Sequence, residues 1–130
     1  MEVVGYNHSA RGISSFAVAV GTSEREAGYI GPGQGGGSNF CCVAVPSQWT
    51  PGLKAKVTLM RLDGSNYSTS EQVVEIPKYG KGDNAFFAVH FLRDGRVKVF
   101  VTSYTLWHKN YPLKGKEAEM KPGEPIEVIN

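Results

Sequence analysis

The sequence of 130 residues has no long hydrophobic run. No window approaches the roughly 20 consecutive apolar residues that a membrane-spanning helix requires. The start of the chain, from Met1 to Tyr6, also lacks the basic region and the apolar stretch of a signal peptide. We therefore expect either a cytoplasmic protein, if Met1 is the native start, or a mature fragment to which a start methionine was added.

The sequence also lacks a large excess of charge of either sign. The chain has 14 lysines and arginines against 12 aspartates and glutamates, which gives a formal net charge of +2. This charge is too small to indicate nucleic acid or an anionic membrane as the main partner. The one basic cluster, Lys109 to Lys121, is predicted to be a solvated loop. With 41% hydrophobic and 20% charged residues, we expect one folded domain over residues 1–130.

Helical periodicity is nearly absent. Short alternating runs separated by glycine, proline, asparagine and aspartate are typical of strands, and 16 glycines and 7 prolines favour turns. We predict an all-β domain, an antiparallel β-sandwich or partly open barrel of about seven strands. The predicted strands are Gly12–Val20, Asn39–Pro46, Leu53–Leu62, Gln72–Ile76, Ala85–Arg93, Arg96–Tyr104 and Pro125–Ile129.

The clearest local signal is Asp94-Gly95 between two apolar runs. A two-residue Asp-Gly loop favours a tight hairpin, because both positions tolerate positive φ. That loop length would place His90 opposite Val99, on one face of the hairpin. His90 is therefore predicted to be a core histidine whose hydrogen bonds are satisfied inside the domain.

Motifs for bond-making chemistry are missing. There is no Gly-x-Ser-x-Gly elbow, and the glycine-rich stretch at 31–37 lacks the lysine and helix of a phosphate loop. The adjacent Cys41 and Cys42 lack the spacing of zinc ligands, and they leave buried thiols, a strained vicinal disulfide and a reactive thiol open. His8 is predicted to stabilise a turn, and His108 to be exposed. We predict no catalytic residue, no metal ligand and no cofactor.

Aromatic residues in the predicted loops are the best candidates for recognition, because Tyr and Trp dominate interface hot spots. Trp49, between Pro46 and Pro51, is instead predicted to plug the core. The predicted partner-binding residues are Tyr29, Ile30, Gln34, Trp107, His108, Lys109, Tyr111 and Leu113. An alternative is a non-catalytic module that stacks glycans or envelope lipids on the aromatic members of this set.

Six short strings together resemble one family. They are Gly5-Tyr6-Asn7-His8, Ile13-x-x-Phe16-x-Val18, Gly35-Gly36-Gly37-Ser38, Cys41-Cys42-Val43, Pro46-x-x-Trp49-x-Pro51-Gly52-Leu53 and Val89-His90-Phe91-Leu92-x-Asp94-Gly95-x-Val97. Over roughly residues 5 to 105 the chain resembles the family called domain of unknown function 3304, small lipoproteins of Gram-negative bacteria.

The resemblance implies a periplasmic protein held to the membrane by a lipid anchor, although the lipobox cysteine of the family pattern is missing here. Some members are regarded as immunity proteins against phospholipase effectors of the type VI secretion system. The resemblance therefore implies a protein that is not an enzyme. It would bind and inhibit a cognate lipase effector as one half of a heterodimer, by covering the active site or the lid of that enzyme.

Overall fold

The computed structural model describes residues 1–35, 42–63, 65–83 and 85–120. Within these ranges the chain forms seven strands and one short 3-10 helix. They are β1 (Glu2–Asn7), β2 (Ser15–Val20), β3 (Ser23–Ala27), β4 (Lys54–Asp63), β5 (Asn66–Glu75), β6 (Phe86–Phe91), β7 (Val97–Thr102) and the 3-10 helix Gly115–Ala118. The predicted all-β architecture of about seven strands is confirmed. None of the described helices is long and apolar enough to cross a membrane.

The strands form two sheets, a three-stranded sheet in the order β1-β6-β7 and a four-stranded sheet in the order β3-β2-β4-β5. Adjacent strands are antiparallel except that β1 pairs with β6 in parallel, with Tyr6 beside His90. Between these two strands the chain builds the entire four-stranded sheet, a connection of the length that a parallel pair needs. This pairing departs from the fully antiparallel prediction.

Alternation along the strands fills the space between the sheets. On β4, Ala55, Val57 and Leu59 are buried while Lys54 and Lys56 are exposed, as the period of two predicts. The four-stranded sheet therefore has one apolar and one solvent-facing side. Its apolar side packs on side chains of the three-stranded sheet, which include Val3, Phe87, Val89, Phe91, Val97, Val99 and Val101.

The three-stranded sheet is covered on both faces. Its second face carries an apolar cluster that includes Val4, Ala88 and Leu92. Residues 104–120, which we call the covering segment, pack over this cluster with Leu106 and Leu113. Burial of both faces explains why β6 is apolar at successive positions, a pattern typical of strands without a solvent-facing side.

The β6–β7 hairpin differs from its predicted register by one residue. The Leu92 N–H donates to the Arg96 carbonyl at 2.9 Å, and the Gly95 N–H donates to the Leu92 carbonyl at 3.1 Å. Gly95 has φ +90, so the loop is a three-residue turn that ends in a left-handed glycine. The predicted pairing of His90 with Val99 is therefore wrong, because the longer loop sets His90 opposite Lys98.

Two strand predictions need correction. The strand predicted from Gly12 begins only at Ser15, because Ile13 forms an isolated bridge with Ile30 of the glycine-rich loop. Residues 42–46 of the predicted strand Asn39–Pro46 are not a strand. Instead, the Val43 N–H donates to the Met1 carbonyl at 3.0 Å. Residues 39–41 and the predicted strand Pro125–Ile129 lie outside the described residues.

Strand β5 begins earlier than predicted, at Asn66, and β1 and β3 were not predicted at all. The residues of β3, Ser-Glu-Arg-Glu-Ala, have low strand propensity and gain their ladder from β2 at the sheet edge. The two-residue loop between β2 and β3 starts with Gly21 at φ +59, a conformation that suits such a hairpin.

Gly5 marks the tightest point of β1, and it provides a test of the packing. A Cβ at this position would lie 2.5 Å from Ile30 Cδ1 and 2.9 Å from the Phe16 ring. We expect Gly5→Ala to lower the free energy of unfolding by roughly 1–3 kcal/mol, the usual cost of overpacking a core. Urea denaturation measures this change.

The matched control is Gly28→Ala, because a Cβ there meets no atom within 4 Å. Its stability should be unchanged or slightly raised. Equal stability of the two variants would contradict the close approach of β1 to Ile30 and Phe16.

Candidate functional site

A chain of buried hydrogen bonds joins the covering segment to the three-stranded sheet. The parallel pairing of β1 with β6 stacks the Tyr6 and His90 rings with centroids 4.7 Å apart. His8 follows β1 on the same side, and its Nε2 lies 2.7 Å from Nδ1 of His90. The hydroxyl of Tyr111 lies 2.6 Å from Nε2 of His90, and the Glu119 carbonyl oxygen lies 2.9 Å from Nδ1 of His8.

The direction of each hydrogen bond in this chain follows from its last member. The carbonyl oxygen of Glu119 can only accept, so Nδ1 of His8 carries the proton and Nε2 of a neutral His8 accepts. His90 then donates from Nδ1 to His8, and its Nε2 accepts from the Tyr111 hydroxyl. Every ring nitrogen of both histidines is thereby satisfied while both rings stay neutral.

Burial keeps the two histidines and the tyrosine of this hydrogen-bond chain neutral. The exposed fractions of His8, His90 and Tyr111 are 2%, 0% and 1%. Loss of hydration disfavours the charged form, so burial lowers the pKa of His8, lowers that of His90 well below its ordinary value and raises the pKa of Tyr111. A neutral, fully bonded pair of imidazoles acts as a structural link between segments of the chain.

The three histidines match their predictions to different degrees. His90 is the satisfied core histidine that was predicted, and His108 is exposed as predicted. The prediction that His8 stabilises a local turn is wrong. Because β1 lies beside β6, His8 reaches across to His90 and to the carbonyl of Glu119, which is 111 positions away. The sequence signal was the apolar run before His8, which marks β1 as a buried strand.

An ion-pair cluster also attaches the covering segment. The carboxylate of Glu117 lies 2.8 Å from Nη2 of Arg96 and 2.9 Å from Nζ of Lys98. These two cations hold the pKa of Glu117 below its usual value. Since the three side chains are substantially exposed to solvent, the ion pairs contribute less to the attachment than the buried hydrogen bonds of His8 and His90 do.

The outer surface of the covering segment carries a large aromatic side chain. Trp107 is 70% exposed, and its ring meets Tyr6 edge-on with centroids 6.1 Å apart. Next to it, the exposed His108 stacks on Tyr104 with centroids 4.3 Å apart. Lys109 is exposed as well, and so are Lys114 and Lys116 farther along the segment. The result is a basic and aromatic surface on a segment that is anchored from below.

The described part of the glycine-rich loop is fixed by a buried asparagine that sequence reasoning missed. Asn7 is fully buried, and its amide nitrogen donates to the carbonyls of Ile30 and Gly31, each at 3.2 Å. Gly35 forms an isolated bridge with Tyr6, the residue that also meets Trp107. The glycine-rich loop and the covering segment therefore converge at Tyr6.

The structure divides the predicted partner-binding residues into two groups. Tyr29 (65% exposed), Gln34, Trp107, His108 and Lys109 lie at the surface.

Ile30, Tyr111 and Leu113 are buried, so the expectation that they form a contact surface is corrected. Ile30 pairs with Ile13, Tyr111 bonds His90, and Leu113 packs on the second face of the sheet. Tyr111 is likewise removed as a stacking platform for glycans or lipids.

An open groove of about 1130 Å³ lies at another place, between residues 43–51 and 78–81. Trp49 lies on its wall, packs on the core as predicted and donates from Nε1 to the Ile76 carbonyl at 2.7 Å. Tyr79 donates its hydroxyl proton to the Pro46 carbonyl at 2.6 Å. Both aromatic donors are thus used inside the protein.

The remaining candidates for chemistry are also accounted for within the described ranges. Cys42 is disulfide-bonded, so neither a free buried thiol nor a reactive thiol describes it. Cys41 lies outside the described residues. Among the residues that the structure describes, no three His, Cys, Asp or Glu side chains come together in a way that could hold a metal ion.

The hydrogen-bond directions predict an unusual pair of tautomers. His8 and His90 should both carry their proton on Nδ1, whereas His108 accepts the Asn110 N–H at its Nδ1 and should carry its proton on Nε2. A long-range ¹H–¹⁵N correlation spectrum of the imidazoles at pH 7.5 distinguishes the tautomers. If the two buried histidines instead carry their protons on Nε2, the assigned series of hydrogen bonds is wrong.

The Tyr111 hydroxyl should contribute measurably to stability. Tyr111→Phe leaves Nε2 of His90 without a donor, which should lower the free energy of unfolding by roughly 1–3 kcal/mol. Tyr67→Phe is the control, since Tyr67 is 65% exposed, and its effect should stay within about 0.5 kcal/mol. Chemical denaturation of both variants measures the difference, and equal stability would rule out a bonded hydroxyl.

The chain matches the model of one protein family, but it matches no individual protein. No curated protein and no solved structure shows significant similarity to the chain. The family model described as "Protein of unknown function (DUF3304)" matches residues 6–99, which covers the last two residues of β1, the whole four-stranded sheet and the β6–β7 hairpin up to Val99. The covering segment lies beyond the matched range. The chain therefore belongs to the DUF3304 family.

Proposed function

We propose that this protein is an immunity protein, which binds a cognate phospholipase effector of the type VI secretion system and inhibits it. The covering segment forms the contact surface, with Trp107 at its centre and His108 and Lys109 beside it. The observation that carries the proposal is the exposure of Trp107 on a segment in which Leu106, Tyr111 and Leu113 are buried. The choice of a lipase as partner rests on the likeness to members of the family regarded as immunity proteins.

The physical basis for binding is a preorganised surface. Trp side chains are enriched among interface hot spots, where they supply large contact area at little cost in conformational entropy. Buried contacts and the hydrogen-bond chain hold the segment below Trp107, so little ordering is needed on association. The exposed Lys109, Lys114 and Lys116 add positive charge, which favours a partner surface of opposite charge.

The same geometry supports binding over catalysis. A general base must reach the proton that it abstracts, but both buried histidines are enclosed and use their ring nitrogens within the protein. His108 is exposed, and its close partners are the Tyr104 ring and the Asn110 N–H. A lipid-anchored periplasmic form is the location that this function requires, since the effector acts on envelope phospholipids.

The decisive experiment measures the activity of a purified type VI phospholipase effector with and without this protein. Purified chain should abolish hydrolysis at a slight molar excess, and Trp107→Ala should raise the half-inhibitory concentration about 30-fold. That factor corresponds to the roughly 2 kcal/mol that defines a hot spot. The mechanism predicts no phospholipid hydrolysis by the chain alone.

Tyr67→Ala is the matched control. Tyr67 is 65% exposed, but it lies on β5 in the four-stranded sheet. Its inhibitory potency should equal that of the wild type. Full hydrolysis in the presence of excess wild-type chain would reject the function for this pair. If Trp107→Ala inhibits as strongly as the wild type, the surface around Trp107 is not the contact surface.

A further inference from the structure

The attachment of the covering segment depends on two neutral histidines, and an ordinary histidine side chain gains a proton in mildly acidic solution. We infer that His8 and His90 are positioning residues for the surface around Trp107, and that acidification below about pH 6 releases the covering segment from the three-stranded sheet. The release concerns residues 104–120 alone, and its effect on partner binding rests on the function proposed above.

The series of hydrogen bonds from Glu119 through His8 and His90 to Tyr111 cannot take up another proton without breaking a bond or reversing its direction. In the neutral state, Nε2 of His8 accepts from His90 over 2.7 Å, so a proton added there would face the one already on His90. Moving the His90 proton to Nε2 requires the Tyr111 hydroxyl, which now donates to that atom at 2.6 Å, to accept instead and to turn its own proton away. Protonation therefore breaks a link or takes the acceptor away from the Tyr111 hydroxyl proton, and in each case it places a cation in an apolar enclosure.

The surroundings do not compensate for that charge. His90 is packed among the rings of Tyr6, Phe100 and Tyr111, and Lys98 beside it repels a second cation. Arg93 and Glu117 are the charged groups that face His8. The Glu117 carboxylate is already engaged by Arg96 and Lys98, so it offers His8 little net attraction.

The sign of the pH effect follows from the lowered pKa of each histidine. In the released state both imidazoles return to an ordinary pKa near 6.5, so that state binds more protons than the attached state in mild acid. The attachment is at full strength above about pH 6.5, and it weakens as the pH falls through the lower range. Below the ordinary pKa, each proton that the protein takes up on release raises the equilibrium constant for release about tenfold for every pH unit of acidification.

The location of the histidines limits the effect to one face. The described buried polar side chains are Asn7, His8, His90 and Thr102, and both titratable ones among them lie on the side that the covering segment packs on. The cluster between the two sheets contains no histidine within the described ranges. The sandwich should therefore persist at a pH at which the segment has detached.

Two measurements on the wild-type chain test the inference between pH 7.5 and pH 4.5. Hydrogen–deuterium exchange, corrected for intrinsic rates, should show protection of residues 104–120 falling at least tenfold per pH unit below about pH 6, while protection of β2 and β4 is retained. Imidazole ¹⁵N shifts should show His8 and His90 becoming protonated in the same transition. Retained protection down to pH 4.5, or loss of protection while both imidazoles stay neutral, would overturn the inference.

Variants separate the histidines from the ion pairs. His90→Gln offers an amide that donates and accepts but does not titrate, so protection should fall less steeply with pH. Glu117→Gln breaks the pairs with Arg96 and Lys98 and should leave a transition as steep as that of the wild type. If His90→Gln does not fold, the wild-type ¹⁵N titration decides alone. A normal slope in folded His90→Gln would overturn the role of His90.

The effector assay at two pH values separates this inference from the proposed function. Inhibition at pH 7.5 that is lost at pH 5.5 together with segment protection supports both. Segment release without any inhibition at pH 7.5 rejects the function and supports the acid release. Inhibition that persists at pH 5.5 after the segment has detached would overturn the positioning role of the histidines.

Discussion

The hydrogen bond between His8 and His90 connects three parts of the chain that the sequence separates widely. It forms because β1 lies parallel to β6, which places the end of β1 next to the inner face of the covering segment. Once both imidazoles are enclosed, their remaining nitrogens need partners, since an unsatisfied buried polar atom is costly. Tyr111 and the Glu119 carbonyl meet that need, and both belong to the covering segment. The buried pair thus fixes where this segment lies.

Position on the sheet explains what the sequence revealed and what it concealed. The alternation on β4 and the apolar runs of β6 and β7 were correctly predicted, because each of these patterns arises from side chains that face a core. The β6–β7 register was wrong because Asp-Gly suits both a two-residue and a three-residue loop. The two differ at Asp94, which needs positive φ in the two-residue turn and does not have it here. β3 escaped detection because its residues gain strand geometry from a neighbour and not from propensity.

The candidate site shows the same division. Exposure of Trp107 and burial of His90 followed from local context, and both are confirmed. Tyr111 and Leu113 were predicted to bind a partner because they lie in a predicted loop. Their burial depends on a second apolar face of the three-stranded sheet, which becomes visible only after β1 has been placed beside β6. Contacts between residues about 100 positions apart leave no local pattern in a single sequence.

The parallel pair also constrains the order in which the protein acquires its structure. Glu2 and Phe86 are neighbours in the sheet although 83 residues separate them, so β1 has no partner until most of the chain has been synthesised. Closing so long a loop carries a large entropic cost, which delays this pairing relative to the local hairpins. During synthesis the apolar β1 therefore remains unpaired until β6 has been made, and a chaperone can bind it in that interval.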